Sequence, residues 1–123
     1  MITVAYLAVE GNTEAVEFVQ SLLEKDELDL SDKVYLIRHL RKIKDDKTID
    51  LLMNILRTTK SNDTTRRLIT ETLKTIASTE RKELIQSLYE IMNSNNFSYK
   101  MKGKILRVIE ILKGNEELYY KRI

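Results

Sequence analysis

Apolar residues recur along this chain at intervals of three and four, as in Leu36, Leu40 and Ile43 or in Ile49, Leu52 and Leu56. That spacing gathers them on one face of an α-helix, whereas a half-buried strand would alternate at every second position. Short polar side chains stand ahead of each apolar stripe, where a helix needs acceptors for its first free N–H groups. They are Ser31-Asp32 before Val34, Asp45-Asp46 before Ile49, Asn62-Asp63 before Leu68, Ser78-Thr79 before Leu84, and Asn115 before two glutamates. The pattern predicts helices over 2–9, 13–25, 31–44, 46–59, 64–77, 79–93, 98–113 and 116–123.

The stripe itself repeats. At an offset of 33 residues, Leu36, Leu40 and Ile43 fall on Ile69, Leu73 and Ile76, and Leu52 and Ile55 fall on Ile85 and Leu88. Taken backwards, the same offset places Val16, Val19, Leu22 and Leu23 on Ile49, Leu52, Ile55 and Leu56, and Leu7 on Leu40. At an offset of 36, Ile69, Leu73 and Ile76 recur as Ile105, Ile109 and Leu112, the three extra residues fitting the polar stretch 93–98. A two-helix unit of this size cannot bury its apolar stripe alone, so units stack and the stack bends into a solenoid. The expected organisation is one domain over 1–123, with units near 1–28, 31–60, 63–95 and 98–123.

Residues 39–52, His39-Leu40-Arg41-Lys42-Ile43-Lys44-Asp45-Asp46-Lys47-Thr48-Ile49-Asp50-Leu51-Leu52, resemble the join between the first and second helices of a HEAT-like (armadillo-type) repeat. Asn62-Asp63-Thr64-Thr65-Arg66-Arg67-Leu68-Ile69, running on to Leu73 and Ile76, resembles the start of the next such unit, and a base recurs there as Lys33, Arg66 and Lys102. The resemblance spans residues 31–113 and implies an all-α fold, a right-handed α-α superhelix: a short α-solenoid of about 3.5 to 4 HEAT-like hairpins. The chain departs from the family pattern in having no proline at the start of the second helix, where Asp50 stands, and in carrying Lys44 where a small residue is usual. Proteins of this architecture mostly bind other proteins, less often nucleic acid, and the fold alone does not choose between them.

Composition agrees with stacked helices. Among 123 residues there is no cysteine, proline or tryptophan and only three glycines, so disulfide frameworks, thiolate metal sites and turn-rich sandwiches are disfavoured. The apolar opening 2–9 meets Glu10 and Gly11 with no base ahead of it, too short for a membrane span and wrong for a signal peptide, so a cytoplasmic protein is expected. The net charge of +2 conceals an uneven distribution. Residues 1–32 hold eight acids and the single base Lys25, and all the other Lys and Arg residues follow. Such asymmetry suits a partner of one sign, or self-association through opposite ends.

Candidate chemistry is sparse. His39 is the only histidine, flanked by bases, and supplies neither a triad nor a metal set. The pairs Asp45-Asp46, Glu80/Glu83 and Glu116-Glu117 fall at predicted helix starts, where capping accounts for them, although carboxylates of separate helices can still meet in space. Gly11 and Gly114 carry no phosphate-loop pattern. No enzyme, cofactor or metal is expected. The bases are more informative: the first helices 31–44, 64–77 and 98–113 hold thirteen of them against Asp32, Glu71 and Glu110. Opposite the apolar stripes stand Arg38 and Lys42, Arg67 and Lys74, and Lys100 and Arg107, predicted to form one basic surface across the stack.

That surface suits another protein, in particular an acidic one, and the expected function is a non-enzymatic scaffold or adaptor. The alternative is a nucleic-acid-binding module using the same bases, with Tyr35 and Tyr99 as the available stacking residues. Tyr89, beside Leu88, is expected in or at the edge of the core, and Leu118-Tyr119-Tyr120 either closes the last unit or offers an apolar end to another copy.

Overall fold

A computed structural model describes residues 13–25, 28–42, 45–94 and 97–114. The predicted helices 2–9 and 116–123, with Tyr119 and Tyr120, lie outside the described residues, as do Ile43 and Lys44. The described elements are α1 (Thr13–Lys25), α2 (Leu30–His39), α3 (Asp46–Thr58), α4 (Arg66–Ala77), α5 (Ile85–Ser94) and α6 (Tyr99–Leu112), with 3₁₀ turns at Leu40–Lys42 and Lys82–Leu84. All regular structure among the described residues is therefore helical.

Three starts follow short polar caps. Asp45 accepts from the Thr48 N–H at 2.8 Å and Ser98 accepts from Met101 at 3.1 Å, each completing the first turn of its helix. At α2 the cap is Asp29, accepting from Asp32 at 2.9 Å, two residues ahead of the predicted Ser31-Asp32. Two other starts differ more. Asn62 and Thr65 hydrogen-bond each other reciprocally, closing a turn that delays α4 to Arg66. Before α5, the hydroxyls of Ser78 and Thr79 donate back to the carbonyls of Thr75 (2.6 Å) and Ile76 (2.7 Å), closing α4 instead of opening the next helix. Glu80 then takes a left-handed φ of 59°, which a right-handed helix cannot contain, so the predicted helix 79–93 begins only at Ile85. Gly114, with φ of 104°, ends α6 in the conformation that favours glycine.

Most of the apolar positions that the offsets relate are buried. Leu36, Leu40, Ile69, Leu73, Ile76, Ile105, Ile109 and Leu112, the residues related by the 33 and 36 offsets, are all buried. In the second helices of each pair, Val19, Leu23, Leu52, Leu56 and Leu88 are buried, and the equivalent pair Leu22 and Ile55 are both half-buried against the core. Phe97, in a stretch read as a polar loop, is buried too and extends the same core. Tyr89 packs partly buried against it.

Helix α4 packs along α2 on one side and α6 on the other, while α3 packs on α4 and α1, and α5 on α6. Eight of its twelve residues are buried, including Thr72 and Thr75, whose hydroxyls donate to the carbonyls of Leu68 (2.8 Å) and Glu71 (2.9 Å). Between neighbouring helices, Glu71 meets Arg38 at the 33-residue offset, whereas Lys104 meets Thr70 at 34 residues, two short of the 36-residue offset that relates α4 to α6. A buried polar cluster ties α1 to α3, with the Gln20 amide donating to Thr48 Oγ1 at 2.8 Å and to Asp45 Oδ1 at 3.2 Å. Burial pulls the Asp45 carboxyl upward, but the Thr48 hydroxyl and N–H, the Gln20 amide and Lys47 outweigh it and hold it below the ordinary aspartate value.

Candidate basic interface

Positions on α4 divide by direction. Its apolar stripe faces the core, Arg67 and Lys74 lie opposite that stripe, Glu71 turns toward α2, and Arg66 and Thr70 line the edge beside α6. Glu71 is where the basic surface is interrupted. Its carboxylate accepts from Arg38 Nη2 at 3.0 Å and from Arg41 Nη2 at 2.5 Å, with its side chain 9% exposed. Burial pushes this carboxyl up, but the Arg38 hydrogen bond and the charges of Arg41, Arg38 and Lys74 prevail and hold it below the ordinary glutamate value. Arg38, although exposed, is thus engaged within the fold, and Glu71 offsets one of the two guanidinium charges at the α2 end of the surface. The side chain of Lys42 lies outside the described residues.

The other edge of α4 carries no such acid. Lys104 Nζ donates to Thr70 Oγ1 at 3.0 Å across the α4–α6 cleft. One helical turn away on α4 stand Arg66 and Lys74, and one turn away on α6 stand Lys100 and Arg107. Burial, reinforced by the like charges of Lys100, Arg66, Lys74 and Arg107, pushes the Lys104 ammonium below the ordinary lysine value. Five cations therefore converge on one cleft roughly 12 Å long, the rise from Arg66 to Lys74. Lys74, Lys100 and Arg107 belong to the surface expected from the sequence, and Arg67 extends it along the exposed ridge of α4. Arg66 and Lys104 were not among those six. They sit on flanks rather than ridges, and only the side-by-side placement of α4 and α6 brings the flanks together.

The remaining candidates hold structural roles. The half-buried His39 ring lies 4.3 Å from Tyr35, and because a carbonyl can only accept, its Nδ1–H donates to the Tyr35 oxygen at 2.9 Å. Asp46 pairs with Arg81 at 2.6 Å and joins α3 to the approach of α5. Tyr99 is the aromatic left open, 93% exposed with Lys102 Nζ 5.9 Å from its ring centre. A groove among α1, α2, α3 and the start of α4 has an apolar floor that includes Leu23, Ile55 and Leu68 and a polar rim that includes Glu24, Lys33 and Asn54, and its volume is about 420 Å³. Among the described residues no group of three His, Asp or Glu side chains is placed to hold a metal ion, and no helix is long and apolar enough to cross a membrane. Comparisons with models of known families, with curated proteins and with solved structures return no match for this chain.

Proposed function

We propose that this chain is a short HEAT-like α-solenoid, a right-handed α-α superhelix, that works as a non-enzymatic protein-binding scaffold or adaptor and docks an acidic partner on its α4–α6 face. The observation that carries this reading is the convergence of Arg66, Lys74, Lys100, Lys104 and Arg107 around Thr70. Gathering like charges costs folding free energy, and a partner's carboxylates would return it on binding. The solenoid reading draws support from the burial of the residues that the 33 and 36 offsets relate in α2, α4 and α6, and from the Arg38–Glu71 contact at 33 residues.

The test is affinity capture from the native host with the wild-type protein and an Arg67→Glu/Lys74→Glu/Lys100→Glu variant in parallel, with and without nuclease, at low and high salt. Arg38 is left intact, because reversing it would strand Glu71. Proteins retained by the wild type at low salt and lost from the variant support the proposal; equal retention by both overturns it. A nucleic-acid-binding reading is favoured by one observation, the exposed Tyr99 ring with the Lys102 ammonium beside it, which suits base stacking next to a phosphate contact. It requires oligonucleotide binding that falls steeply with salt, and capture that disappears on nuclease treatment.

A further inference from the structure

Among the described residues, the large apolar side chains left exposed are Phe18 on α1 (51%) and Tyr99 (93%) and Leu106 (42%) on α6. These helices are the first and last of the described set, and they differ in charge. Glu14 lies one turn before Phe18 on the same face and Lys25 two turns after it, while the exposed Glu17 and Glu24, two turns apart, line the flank beside that face. Tyr99 and Leu106 are each followed by a base, Lys100 and Arg107. The spacing matches as well: Glu17 to Glu24 and Lys100 to Arg107 are both seven residues, or about 10.5 Å along a helix. Two of the ion pairs made by these helices are held only loosely. Glu24 faces Lys47 at 3.7 Å with both side chains about half exposed, and Glu110, on the α6 stripe, faces Lys113 at 3.6 Å.

We infer that α1 of one molecule docks on α6 of a second copy, setting Glu14, Glu17 and Glu24 against Lys100 and Arg107 and Phe18 against Tyr99 and Leu106. Each copy uses two different surfaces, so the contact is head-to-tail and propagates into open chains unless its rotation closes a ring. A single helix face on each side buries less than a standard interface, so assembly is weak and concentration-dependent. The inference rests on reading the α6 bases as a docking surface, and it adds the occupant. Arg67 and Lys74 on α4 take no part in it.

Sedimentation velocity over a concentration series tests it, using the full chain, Glu14→Lys/Glu17→Lys, Lys100→Glu/Arg107→Glu, and an equimolar mixture of the two variants. The wild type should form larger species at low salt and dissociate at about 1 M salt, where the screening length falls to ~3 Å. Each variant alone should associate about tenfold more weakly or less. The mixture should recover association, because basic α1 then meets acidic α6 and the reverse, and recovery also shows that both variants are folded. A wild type that stays monomeric at low salt, association unaffected by either reversal, or a mixture that fails to recover overturns the inference. Capture of an acidic partner through Arg67 and Lys74 is untouched by Glu14→Lys/Glu17→Lys, so the failure of one reading is separable from that of the other.

Discussion

Glu71 and Lys104 occupy opposite edges of one helix and exert opposite electrostatic effects. Glu71 is ionised, nearly buried and bonded by two arginines, and its value in the fold lies below the ordinary 4.5. A depressed carboxyl contributes stability that is complete above its unfolded value and fades as the pH falls through the lower folded value. Glu71→Gln should therefore cost about 1–2 kcal/mol at neutral pH, discounted for the solvent exposure of Arg38, and should flatten the loss of stability below pH 4.5. Urea unfolding followed from neutral to acid pH measures both effects. For Lys104 the sign reverses, since burial and four like charges disfavour its protonated form. Lys104→Met should raise stability at neutral pH by about 0.5 kcal/mol, with the gain shrinking as salt screens the cluster. The sequence displayed both residues, but their roles depend on which neighbour each edge of α4 meets. Glu71 read as an acid among bases, and the Arg38 contact that neutralises it lies 33 residues away.

At the scale of elements, the helical stripes were legible because burial follows the three-and-four spacing closely. In α2, α4 and α6 the residues related by the 33 and 36 offsets are buried alike, whereas Leu52 and Ile85, and Ile55 and Leu88, differ in burial. Among the start signals read from the sequence, Asp45 is one whose polar side chain serves the helix that follows it. Ser78 and Thr79 have the same chemistry, and nothing local distinguishes a hydroxyl that opens a helix from one that bonds back to the helix before it. Asp45 has a further role hidden from local sequence, because the buried Gln20 amide of α1 also reaches it. Asp45→Ala removes a cap worth about 1 kcal/mol and leaves Gln20 with Thr48 alone, a loss of about 2 kcal/mol in all. Thermal unfolding should show it, and Ser98→Ala, which removes a cap without a second partner, should cost about half as much.

Across the whole molecule, the near-neutral net charge is the sum of an acidic α1 side and a basic α4–α6 side. Sulfate, at an ionic strength equal to that of chloride, should raise the melting temperature of the wild type more than that of Lys104→Met, since part of its effect would be relief of the cleft. The surface expected to run from Arg38 to Arg107 is interrupted where Glu71 pairs with Arg38 and Arg41, and Lys104 reaches Thr70 between α4 and α6. Helix α4 is the element gripped from both sides, and its amides should exchange with solvent only on global unfolding, whereas those of α1 should open at lower cost. Hydrogen exchange read by mass spectrometry gives that order. A protease acting on the native protein would accordingly find its first cuts at the outer helices, and the α2–α4 pair, clasped by Glu71, would be the last fragment to resist digestion.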